Sequence, residues 1–143
     1  MHPLYDKAHE LSQKVIGAAI EVHRLKGPGL IESIYERCLM RELELQKIPC
    51  VNQRLVRVEY KGLVFEESLR FDVLVDNCLL IEIKAVQDLA PIHQAQLLSY
   101  MKLLDIPVGL VLNFHSLRLV DGVLRMVLRG AGPQEQKGWS GPI

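Results

Sequence analysis

The run Leu79-Leu80-Ile81-Glu82-Ile83-Lys84-Ala85-Val86 constrains the fold of this chain more than any other segment. A strand that is apolar at nearly every position must be covered on both faces, which puts it inside a sheet with a layer on either side. Glu82 and Lys84 are its exceptions, and being two apart they share one face. Burying a carboxylate with an ammonium is expensive unless something compensates. The preceding strand carries a third such residue, Asp72, within Phe71-Asp72-Val73-Leu74-Val75.

Whether Asp72 and Glu82 meet is a matter of register. Directly opposed residues of an antiparallel pair point to the same face. A two-residue loop, Asp76-Asn77, would pair Val75 with Cys78 and put Asp72 across from Ile81, with Glu82 on the other face. A three-residue loop, Asp76 to Cys78, pairs Val75 with Leu79 and sets Asp72 opposite Glu82. The three-residue register, or another odd loop, is the expectation.

Around this strand the other elements follow from periodicity. Leu11, Val15, Ala18, Val22 and Leu25 recur at helical spacing, so a helix is expected from Tyr5 to Lys26, stopped by Gly27-Pro28-Gly29. A second helix is expected from Ile31 to Gln46. Ile31, Ile34, Cys38 and Leu39 supply its apolar stripe, with Glu36, Arg41, Glu42 and Glu44 on its wet side. Strands are expected over Arg54–Tyr60 and Val64–Val75, with a bulge near Glu66-Glu67. A helix from Pro91 to Leu104 then links the Glu82 strand to an apolar strand, Val108–Leu112. Leu117–Val120 and Val123–Leu128 are expected to pair as a hairpin around Asp121-Gly122. Together these make a mixed central sheet flanked by helices, of the α/β or α+β class.

The 143 residues suit one domain, read as 1–129, and Gly130 to Ile143 reads as a flexible tail. Cys38, Cys50 and Cys78 are odd in number and scattered, so they suggest neither a disulfide framework nor a zinc site. No apolar run approaches the ~20 residues of a membrane span and no leader is visible, so a cytoplasmic location is expected. The 17 Lys and Arg balance 17 Asp and Glu, which excludes a polyanion binder that works by bulk positive charge. A local phosphate site is still allowed.

Two carboxylates and a lysine on one concave face suit a hard divalent cation, Mg²⁺ or Mn²⁺. Such an ion lowers the pKa of a bound water and offsets charge at a pentacovalent phosphorus. A nearby lysine can orient or deprotonate that water, or stabilise the transition state. The competing explanation is an ordinary salt bridge within the sheet. Glu32 and Tyr35 are three apart and share a face of the second helix, although a first-turn acid is also favoured by the helix dipole. Gln96 and Tyr100 are four apart on the third helix, placed to hold a water, a base edge or a phosphate, or simply to form its polar edge.

Asp72 followed by Glu82-Ile83-Lys84 resembles the Asp…(Asp/Glu)-x-Lys signature of the PD-(D/E)XK nuclease superfamily. Gly29-x-x-Glu32-x-x-Tyr35 resembles the motif of the GxxExxY proteins, small prokaryotic members of that superfamily. Further stretches agree, among them Ile16 to His23, Tyr60-Lys61-Gly62, Gln96-Leu97-Leu98-Ser99-Tyr100 and Asn113-Phe114. The resemblance covers Leu11 to Leu128, and departs from the signature at Phe71, which stands where a proline is usual. It implies a restriction-endonuclease-like core with the site at its open edge. It implies Asp72 and Glu82 as metal ligands with the backbone carbonyl of Ile83, Lys84 as the catalytic lysine, and Glu32 as a further ligand or water-holder. Gln96 and Tyr100 match the Gln-x-x-x-Tyr element of the exonuclease-like branch, and Tyr35 joins them as a substrate-binding candidate. His23 is a candidate for that branch's upstream histidine.

The function expected is Mg²⁺-dependent hydrolysis of nucleic acid, DNA in the first instance, with Mn²⁺ as a substitute. The alternative is a non-catalytic module that keeps the fold and binds nucleic acid or protein. No Cys/His pair sits on a recognisable nucleophile elbow, which argues against a cysteine hydrolase. A lone domain offers little surface for specificity, so a homodimer or a partner subunit is plausible, and no membrane is involved. Glu32, Asp72 and Glu82 are three of the 17 acids and Lys84 one of the 17 bases, so 14 acids face 16 bases elsewhere. Neutrality then argues only against tight metal-free binding.

Overall fold

The computed structural model of the chain describes residues 1–133. Two helices come first, α1 (Tyr5–Lys26) and α2 (Glu32–Leu45), followed by three antiparallel strands, β1 (Cys50–Tyr60), β2 (Leu63–Val75) and β3 (Leu79–Lys84). Helix α3 (Pro91–Leu104) crosses to β4 (Val108–Asn113), and a 3₁₀ turn (Leu119–Gly122) leads into β5 (Val123–Val127). The five strands lie in chain order in one sheet. Only β3 and β4 run parallel, which the crossover through α3 permits; the other pairs are antiparallel.

The sheet is the middle of three layers. Val73, Val75, Leu79, Ile81, Ile83, Val108, Leu110 and Leu112 pack on one face, with Ala8, Val15, Ala18 and Ala19 of α1 and Tyr35, Leu39 and Leu43 of α2. Leu74, Leu80, Val111 and Met126 point the other way, onto Leu97, Leu98, Met101 and Leu104 of α3. Both faces of β3 are therefore covered, as its composition requires. Every residue of β4 is buried. Helix α3 approaches β4 closely over Gly109, where a Cβ would lie 2.6 Å from the Met101 sulfur. Among the described residues no helix is long and apolar enough to cross a membrane.

The turns follow local chemistry. Lys61 and Gly62 both have positive φ, 48° and 89°, which is the primed turn that matches the strand twist of a two-residue hairpin. Asp76 and Asn77 are also left-handed, and Val75 pairs with Leu79 around the three residues Asp76 to Cys78. The expected odd register is the one found.

Several expectations need correction. The hairpin around Asp121-Gly122 does not form: those residues lie in the 3₁₀ turn, and β5 pairs with β4. A fully buried β4 must pair the backbone groups on both its edges, and β5 satisfies the second edge. The buried stripe of α2 is Tyr35, Leu39 and Leu43, while Ile31 and Ile34 are exposed. On α1 the inward face runs through His23, and Leu25 is exposed. The break in the β1–β2 ladder is not at Glu66-Glu67. It falls between Val51 and Gln53, paired with Leu74 and Arg70, so that Asn52 alone faces Phe71-Asp72-Val73. Of the expected tail, Ala131 is buried and exchanges backbone hydrogen bonds with His2 and Leu128. From residue 134 the tail lies outside the described residues.

Candidate functional site

The irregular segment of β2 places Asp72. Two extra residues on β2 bend the strand and turn side chains out of the regular alternation. The β2–β3 ladder is regular from Val75–Leu79 to Val73–Ile81, and beyond it the strands fork. Asp72 stands at the fork, across from Glu82, and its Oδ2 accepts the Ile83 N–H at 2.6 Å. A strand residue sends its N–H and C=O out of the same edge, so the Ile83 carbonyl also leaves toward the fork.

Glu82 and Lys84 share the face of β3 that looks toward α3. Their side chains are each 19% exposed, and the Lys84 ammonium lies 3.2 Å from Glu82 Oε2. Burial pushes the Glu82 carboxyl above its ordinary range; Lys84 opposes this, Asp72 adds to it, and His93 relieves it slightly. Burial works against the Lys84 ammonium too, but Glu82, Glu32 and Asp72 outweigh it and hold the pKa above normal.

Helix α2 supplies the other wall. Glu32, in its first turn, accepts the Ala85 N–H on Oε2 at 3.1 Å and so fastens the end of β3. Glu36, one turn on, lies close enough to Asp72 for the two carboxyls to act on each other. Burial raises the Glu36 pKa first, the charge and hydrogen bond of Asp72 add to that, and Arg70 partly counters it. Sequence reasoning placed Glu36 on the wet side of the helix. The available signal was its spacing of four from Glu32, which puts both acids on one face.

The remaining candidates divide. Tyr35 is fully buried and stacks on Phe114 with ring centroids 4.4 Å apart. Its hydroxyl donates to the Gly27 carbonyl at 2.5 Å and accepts the Leu30 N–H at 3.0 Å. Tyr35 thereby ties the Gly27–Leu30 loop to the start of α2, three residues after Glu32. His23 is buried as well, and its ring Nε2 is 2.8 Å from the Ser116 carbonyl. Gln96 is exposed on α3, and Tyr100 is half-buried against the core beneath that helix. Both lie on the layer that Glu82 and Lys84 face. His93, one turn before Gln96, reaches that layer near Glu82, and its Nδ1 accepts the Ala90 N–H at 3.1 Å.

Asn113 is a second residue whose part the sequence alone does not reveal. It is buried at the end of β4; its amide donates to the Val86 carbonyl at 2.8 Å and its Oδ1 accepts the Val86 N–H at 3.1 Å. This clamp closes the chain just past Lys84, so Glu32 and Asn113 together hold both sides of the strand end.

Among the described residues no group of three or more His, Cys, Asp or Glu side chains is gathered closely enough to hold a metal ion. The donor chemistry nevertheless fits a hard cation. Asp72, Glu82 and the Ile83 carbonyl are all oxygen donors on one fork, and Mg²⁺ needs only one or two carboxylates because it keeps most of its waters.

Comparison with known proteins matches nothing among curated proteins or among solved structures. A family model, the PD-(D/E)XK nuclease superfamily, matches residues 9–126. That span includes α2, the fork and the β3–α3–β4 crossover, all the parts that build the site. With the family shown over most of its length, and with a mixed five-strand sheet between helices as its fold, the chain belongs to the PD-(D/E)XK nuclease superfamily.

Proposed function

We propose that the protein is a Mg²⁺-dependent phosphodiesterase that cleaves nucleic acid, DNA in the first instance, with Mn²⁺ as a substitute. The observation that carries this reading is the meeting of Asp72, Glu82 and Lys84 at a strand fork, where two half-buried acids and one half-buried base lie side by side. Asp72, Glu82 and the Ile83 carbonyl would hold the ion, and Glu32 would serve it through a water. When bound, the ion supplies a water of lowered pKa and a positive charge beside the phosphate. Lys84 would orient a water and offset charge on the phosphate oxygens as it builds. Gln96 and Tyr100 would bind the substrate from α3. Gly29, Glu32 and Tyr35 support placing the chain with the GxxExxY proteins, and the free thiols Cys38, Cys50 and Cys78 suit a reducing, cytoplasmic setting. A second copy or a partner subunit would supply the surface for specificity that one small domain lacks.

The test is cleavage of linear, branched and single-stranded DNA and of RNA with either ion. Asp72→Ala, Glu82→Ala and Lys84→Ala should each abolish it while the protein stays folded by circular dichroism. Failure on every substrate, together with no Mn²⁺ binding, would overturn the reading. The second reading, a non-catalytic binding module, is favoured by one observation: the acids are engaged with Lys84, Ile83, Ala85 and each other, and no three of them converge. Mn²⁺ titration separates the two readings, since a catalytic site binds the ion and loses it in Asp72→Asn.

A further inference from the structure

The acidic fork has a basic neighbour. A groove of about 720 Å³ runs between the second half of α2 and the start of β1, with Arg37, Arg41 and Lys47 on its rim against one acid, Glu44. Asn52 lines the β1 side and Met40 the floor. Such an excess of cations stands out in a chain with a formal net charge of zero. Arg41 lies 2.8 Å from Glu44, but their side chains are 65% and 70% exposed, so this pair is weak and open to exchange. Arg37 and Arg41 are one helical turn apart on one face, a repeat suited to a ligand with repeating anions.

The groove begins about one helical turn from the fork. Met40 lies one turn beyond Glu36, and Asn52 faces the β2 segment that carries Asp72. Arg70, paired with Gln53 next to Asn52, is near enough to Glu36 to lower its pKa. Guanidinium groups bind phosphates with two parallel hydrogen bonds, and a partly apolar floor suits the sugar between them.

We propose that this groove is a track for the sugar–phosphate backbone of the nucleic-acid strand beside the fork, gripping phosphodiesters without reading bases. This rests on the nuclease reading of the fork.

The experiment is fluorescence anisotropy with a labelled single-stranded oligonucleotide and the full chain, with Ca²⁺ replacing Mg²⁺ to hold back cleavage, over a range of salt. In Arg37→Gln/Arg41→Gln the affinity should fall by about tenfold. The slope of log affinity against log salt should shrink by roughly 1.4, at ~0.7 for each phosphate that is no longer neutralised. Glu44→Gln, which removes the groove's one acid, should bind more tightly, a gain that no loss of folding can imitate. Arg24→Gln, on α1, should bind as the wild type does. If the wild type binds and the double variant binds equally, with the same slope, the track lies elsewhere and the nuclease reading stands. If the wild type neither binds nor cleaves any nucleic acid, both fall. If polyglutamate competes as well as the oligonucleotide and is weakened by the same variants, the groove is a site for acidic protein and the proposal is overturned.

Discussion

Glu36 shows how one side chain takes its chemistry from a neighbour distant in sequence. Its carboxyl is raised by burial and by Asp72, so the folded state holds this proton more tightly than the unfolded chain does. Stability from such a group is complete below the ordinary carboxyl value of 4.5 and is lost as pH rises through the raised value. Glu82 shifts in the same direction. Glu36→Gln should therefore melt higher than the wild type at neutral pH in EDTA, and the difference should shrink as pH falls through the raised value toward 4.5. Melting curves from pH 4 to 8 (about that range) check this, and a constant difference would refute it. Tyr35 makes a simpler case. Tyr35→Phe leaves the part-buried Gly27 carbonyl and the Leu30 N–H without their partner, at a cost of about 1 kcal/mol in urea unfolding.

At the scale of elements, the site depends on how strand ends are held. Gly122 sits where a Cβ would come within 2.5 Å of both the Asn113 carbonyl oxygen and the Ser116 hydroxyl. The first is backbone and cannot turn away, so Gly122→Ala should destabilise by about 1–3 kcal/mol, read by thermal melting. The strain falls on Asn113, whose side chain clamps Val86 beyond Lys84. Most of the elements were legible: α1, α3 and β4 follow from periodicity and proline placement, and the three-residue β2–β3 connection set the register that brings Asp72 to Glu82. The hairpin expected at Asp121-Gly122 was not, because that signal is local and the unpaired edge of β4 is not. The break in β2 was also hidden, since a bulge is a mismatch between two strands and neither strand shows it alone.

For the whole molecule, charge is divided by place. Glu32, Glu36, Asp72 and Glu82 are spread around the fork with Lys84, while the nearby groove carries Arg37, Arg41 and Lys47 against Glu44. Such a surface should repel a phosphate from the fork until a divalent cation is present, and attract it to the groove at any time. Oligonucleotide affinity should accordingly rise at least tenfold (an estimate of order ~1.4 kcal/mol) when Ca²⁺ replaces EDTA. That rise should vanish in Asp72→Asn/Glu82→Gln, and anisotropy titrations of both proteins measure it.

The sequence by itself determined the doubly covered β3 and the face shared by Glu82 and Lys84, and it admitted the odd register that sets Asp72 across from them. These are consequences of periodicity and turn length, which are local. Tertiary structure alone decided that Glu36 lies beside Asp72 while Tyr35 is buried, that Asn113 clamps the end of β3, and that a basic groove lies nearby. Each of these depends on how α2 lies against the sheet and on where β2 breaks step with β1. Those are contacts between segments far apart in the chain, and no single segment encodes them.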